Sequence, residues 1–171
     1  KKRILPRPVN GISHDGKSAL SLTYGRLGRM RKGGSYANVV DPYEDDPHPD
    51  QDGVFVMDLQ TGEYRLVLSI NQVYEMLKDT HPELEDKHMW FNHTVFNKSD
   101  TRFFLLARTR EGEDGPLETG MFTVGIDGSD LREVIPYGSG VSHFDWRNSK
   151  EIIATFKLDS NGRRHYHLVD G

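Results

Sequence analysis

The feature that most restricts this chain is a repeat. Three stretches follow the order strand, tight polar turn, strand, loop, strand. In the first, "PVNGIS", the turn "HDGK" and "SALSLTYGRL" are followed by a long loop, then "DGVFVMDL", the turn "QTGE" and "YRLVLS". In the second, "HTVFN", "KSDT" and "RFFLLARTR" lead through "EGEDGPLET" to "GMFTVGI", "DGSD" and "LREVIP". In the third, "HFDWR", "NSKE" and "IIATFK" lead through "LDSNGR" to "RHYHLV". The strands are rich in β-branched and aromatic residues, and Gly, Asn, Asp and Ser, the residues that close hairpins, bound them. Four consecutive antiparallel strands recurring about every 50 residues are the pattern of β-propeller blades.

The expected fold is therefore all-β, built of four-stranded antiparallel blades and belonging to a β-propeller of roughly six to eight blades. On this reading residues 1–171 form a partial propeller, with blade one at 7–69, a helical connection at 70–91, blade two at 92–138 and an incomplete blade three at 141–171. One short helix is expected in "SINQVYEMLKD", where Ile70, Val73, Tyr74 and Leu77 fall at helical spacing and Ser69 with Gln72 makes a capping box. His81-Pro82 would end it. A blade buries its faces against its neighbours. The remaining blades are thus expected from the rest of a longer chain or from other copies.

Composition narrows the function classes. The net charge of −4 supplies no general field for nucleic acid, so no nucleic-acid partner is expected. No apolar run is long enough to span a bilayer, so no membrane partner is expected and the reading is a soluble protein. The absence of cysteine removes disulfides and thiolate metal sites.

Blade topology then sorts the loops. The turns "HDGK", "QTGE", "KSDT", "DGSD" and "NSKE" are short and fall on one rim. The long connections, 25–52, 69–92 and 109–119, fall on the other. Loops on a rigid scaffold carry function, so the long-loop rim is the expected binding face. His93 and His143 stand at the start of the innermost strand in two successive units, on that rim and near the channel. Two neutral imidazoles around an axis suit half of a divalent-metal site. The same positions also suit structural histidines that lock a loop by hydrogen bonding. "YGRLGRMRKGG" adds Arg26, Arg29 and Arg31 to the rim, and guanidinium forks match carboxylates. "HYH" at 165–167 has chelating spacing, but it lies on an outer strand, where packing is the expected role.

At "HTVFNKSDTRFFLLA", "MFTVGIDGSDLREV" and "SHFDW" the chain resembles TolB-type propellers and, among them, the oligogalacturonate lyase family. The resemblance covers most of the chain and is specific for architecture more than for activity. It implies a soluble bacterial protein, of cytoplasm or periplasm, that cleaves uronate oligosaccharides by β-elimination with a divalent metal, typically manganese. On that implication His93 and His143 hold the metal, while Arg26, Arg29 and Arg31, with Asn92, bind the saccharide and its carboxylates. It names no catalytic base. The competing expectation is a non-catalytic propeller that binds a glycan, peptide or protein on the same rim.

Overall fold

The computed structural model describes residues 2–31, 33, 35–36, 38–112, 115–157 and 164–171. The "LDSNGR" loop expected at 158–163 lies outside the described residues, as does the side chain of His165.

Three antiparallel sheets follow one another along the chain. The first holds β1 (Gly11–Ile12), β2 (Ser18–Ser21), β3 (Gly53–Asp58) and β4 (Tyr64–Ser69), in sequence order across the sheet. The second holds β5 (Trp90–Phe96), β6 (Arg102–Arg110), β7 (Leu117–Gly125) and β8 (Arg132–Ile135), again in order. The third holds β9 (Ser142–Trp146), β10 (Glu151–Lys157) and β11 (Arg164–Asp170). The repeat of antiparallel strand groups expected from the sequence is present, and the third group has three strands.

Strand periodicity explains how the sheets pack. In β6 every residue from Phe103 to Ala107 is fully buried. Phe103, Leu105 and Ala107 enter a core shared with Leu20, Val54 and Leu68 of the first sheet. Phe104 and Leu106 enter a second core with Trp146, Ile152 and Ala154 of the third. Alternate side chains point to opposite faces, so a continuous apolar run here means a strand covered on both sides. The second sheet lies between the other two. Burying one such side chain contributes about 1.5–3 kcal/mol, which makes these two cores the main stabilising element of the chain.

Two helices accompany the sheets, where the sequence reading expected one. α2 (Ile70–Leu77) is the expected one. Gln72 N donates to Ser69 Oγ at 3.1 Å, and Ser69 N donates to Gln72 Oε1 at 2.8 Å, which completes the capping box. Ile70, Val73 and Leu77 are its buried face. α1 (Tyr24–Met30) occupies residues assigned from sequence to the end of a strand and to the start of the 25–52 loop, and β2 stops at Ser21. That reading is corrected by tertiary contacts. Gly25 lies so close to the neighbouring loop that a side chain there would sit 2.0 Å from the Val40 carbonyl oxygen. α1 is fixed by what packs on it, not by its own propensity.

Hydrogen bonds between sheets establish that the short turns share one end of the molecule. His14 N and Asp15 N donate to the Asp100 carboxylate at 2.9 and 3.1 Å, joining the β1–β2 turn to the β5–β6 turn. Asn97 Nδ2 donates to Ser149 O at 2.8 Å, joining the β5–β6 turn to the β9–β10 turn. The long connections lie at the opposite end, as expected. Among the described residues no helix is long and apolar enough to cross a membrane.

Candidate functional site

The long-loop end is organised around Arg26. This side chain is 1 % exposed. Its Nε donates to Met89 O at 2.6 Å, Nη1 to the carbonyls of Tyr43 and Asp46, and Nη2 to those of Asp46 and Pro47. All five guanidinium N–H groups are thereby used. The Asp41 carboxylate lies 3.7 Å from Nη1 and balances the charge. Arg26 was expected to meet a ligand carboxylate. The structure places it inside the fold, tying the β2–β3 loop to the segment that enters β5.

Arg29 shares Asp41, with its Nη2 at 2.9 Å, and also meets His88 Nδ1 at 3.1 Å. About a third of it remains exposed. Arg31 is exposed at the end of α1. Asp52, buried below this group, has its carboxyl pushed above the usual range by desolvation. His48 stacks on Tyr74 with ring centroids 3.8 Å apart, and burial lowers its proton affinity.

The two histidines singled out by the repeat share an unusual backbone. His93 has φ 53° and His143 has φ 48°, in the left-handed region. Each sits where the pairing of the inner strand slips. The β5–β6 register shifts between Asn92 and Val95, and the β9–β10 register shifts beside His143. Both are β-bulges with a non-glycine residue in the left-handed conformation, which costs ~1–2 kcal/mol each. The sequence reading put His93 at the start of its strand. β5 begins three residues earlier, at Trp90, so His93 interrupts the strand from within. Trp90 and Phe91 are buried apolar residues that extend the pairing to Arg108 and Ala107.

His93 is exposed, and its ring stands edge-on to Phe144 of the third sheet, 5.3 Å between centroids. Desolvation, then the positive charges of Arg108 and Arg31, hold its imidazole below the ordinary value, so it is neutral at neutral pH. His143 is exposed, and its Nδ1 lies 2.7 Å from Ser142 Oγ. Among the described residues no hydrogen bond or ring contact joins His93 to His143. His167 packs against Phe156 on the outer strand.

Among the described residues no group of three or more His, Cys, Asp or Glu is placed to hold an ion. The cations that lower the proton affinity of His93 also oppose a dication there. His93 and His143 alone do not fit a divalent metal, and a site using them would need ligands beyond the described residues.

Sequence reasoning passed over Arg108. It is 7 % exposed, and its Nε is buried with no acceptor. Burial lowers its guanidinium to about 10, and Arg31 and Arg110 add to the lowering. Asn92, expected to bind substrate, is buried with its Oδ1 also lacking a partner. The available signal was "RFFLLARTR": Arg108 falls two residues after buried Leu106, on the same face of the strand.

Compared with protein-family models, curated proteins and solved structures, the chain matches none.

Proposed function

We propose that the chain is part of a carbohydrate-active β-propeller that takes a uronate-containing saccharide on its long-loop rim and cleaves it by β-elimination. The observation that carries this reading is the matched pair of left-handed bulges at His93 and His143. Strained residues persist where the surroundings over-determine them, and they cluster at functional sites. Bulges beside such sites re-aim a side chain. Here the same device recurs at the same place in two successive units.

Supporting chemistry lies around it. β-Elimination from a uronate needs a cation against the carboxylate and a base for the adjacent C–H. The base takes that proton, the C–H electrons form the new double bond, and the glycosidic C–O bond breaks toward oxygen. Arg31 and the exposed part of Arg29 offer cations at the rim. We assign the proton-accepting role to His93, the exposed imidazole at the β5 bulge held neutral by its surroundings.

The second reading, a non-catalytic propeller binding a glycan, peptide or protein there, is favoured by the commitment of Arg26 to internal carbonyls. One experiment separates the two. Polygalacturonate is incubated with the protein, with and without manganese, and the unsaturated product is followed by ultraviolet absorbance while binding is measured by calorimetry. Cleavage lost in His93→Gln supports the lyase. Binding without cleavage supports the binder, and neither removes the saccharide reading.

A further inference from the structure

Two arginines in this chain are buried to a similar degree and are treated in opposite ways. Arg26 spends all five N–H groups on carbonyl oxygens and has Asp41 beside it. Arg108 is more than nine-tenths buried, and among the described residues it has neither a carboxylate nor a carbonyl partner. Its Nε is buried without an acceptor while Nη1 and Nη2 are not enclosed, and a buried cationic N–H left without an acceptor is costly for a fold to keep. Packing does not explain it, because a methionine or leucine would fill the position at no electrostatic cost.

The neighbours deepen the imbalance. Trp90 is paired directly with Arg108 across β5 and β6, and Asn92 with Leu106, so these side chains share the face turned toward the third sheet. Trp90 Nε1 and Asn92 Oδ1 are buried without partners as well. The amide of Asn92 can turn to present its NH2 in place of the oxygen. Arg31 adds further positive charge. A guanidinium fork, an indole N–H and an amide donor make a set that lacks an oxyanion.

We propose that Arg108, with Asn92 and Trp90, is the binding site for an oxyanion at the long-loop end of the seam between the second and third sheets. The ligand class is a two-oxygen anion that the guanidinium grips with both arms. On the function proposed above it is the carboxylate of an acidic sugar, and only that identification rests on the function. Inorganic phosphate has the same chemistry and is the alternative source. Exposed His93 follows Asn92 in the same strand, at the bulge.

The test uses the full chain with three probes: trigalacturonate, neutral galactotriose and inorganic phosphate, read by calorimetry and thermal shift. The expected result is binding of trigalacturonate but not galactotriose, weakened roughly tenfold or more in Arg108→Lys, which keeps the charge and loses the fork. Arg108→Met is expected to abolish binding while the unliganded protein melts at the same or a higher temperature, because an unpaired buried charge has been removed. Phosphate binding that needs Arg108, with no binding of trigalacturonate, upholds the site and overturns the saccharide. The proposal is overturned if Arg108→Met lowers the melting temperature and leaves anion binding unchanged, or if neither anion binds.

Discussion

The ring of His93 stands edge-on to Phe144, and Phe144 in turn meets Phe104, 5.4 Å between centroids. An exposed residue at the β5 bulge is thereby coupled to the core between the second and third sheets. Phe144→Ala is expected to cost about 2–3 kcal/mol, below the range for fully buried phenylalanine because Phe144 is only partly buried. Urea denaturation checks the cost, and Phe144→Leu should recover most of it.

The left-handed bulges predict an inverted response to glycine. His93→Gly and His143→Gly should each raise stability by about 0.5–1 kcal/mol, since glycine adopts the conformation freely. His93→Val should lower it by at least about 1 kcal/mol, because a β-branched residue tolerates positive φ poorly. Denaturation midpoints decide the sign.

Arg26→Ala should destabilise by about 3–5 kcal/mol, because it leaves buried Asp41 with Arg29 alone, strips the Met89 and Asp46 carbonyls of their side-chain donors and takes one of two donors from those of Tyr43 and Pro47. Arg26→Lys should recover little, since one ammonium cannot reach the same oxygens. Limited proteolysis within residues 38–52 reports the loosened loop directly.

Stability should fall with mild acid. His48, His88 and His93 are each held below the ordinary imidazole value of 6.5, with burial the largest cause. As pH falls through 6.5 the unfolded chain takes up protons that the folded chain refuses, so unfolding is favoured. A second limb lies lower. Asp15, Asp58, Asp127 and Asp130 are held below 3.8, chiefly by hydrogen bonds, and their contribution is present above that value and lost as pH falls past it. Thermal unfolding across pH should resolve both limbs, with His93→Gln flattening the first.

Sheets and the second helix were legible because their signals are local. The run from Phe103 to Ala107 declares a strand covered on both faces, and Ser69 with Gln72 declares a helix start. The first helix was not legible, because two glycines and an uncapped Thr23 argue against it, and the contacts that impose it come from Val40 and beyond. The repeat pointed to His93 and His143, but a positive φ leaves no mark on a histidine in the sequence. Arg108 was hidden for the opposite reason. An arginine near a strand end reads as solvent-facing, and its burial is set by contacts from outside its own strand.

The joints at the short-turn end have a direction, although within the core Trp146 Nε1 of the third sheet donates back to Val95 O of the second at 3.0 Å. In the short turns, the first sheet donates through His14 and Asp15 to Asp100 of the second, and the second donates through Asn97 to Ser149 of the third. The outer strand keeps the same sense, with Arg65 of the first sheet donating to Ile126 O beside the second at 2.9 Å. Each of these joints thus has a donor side and an acceptor side that are not interchangeable. A twofold pair of copies presents like to like and cannot reproduce such a joint, whereas a head-to-tail addition can.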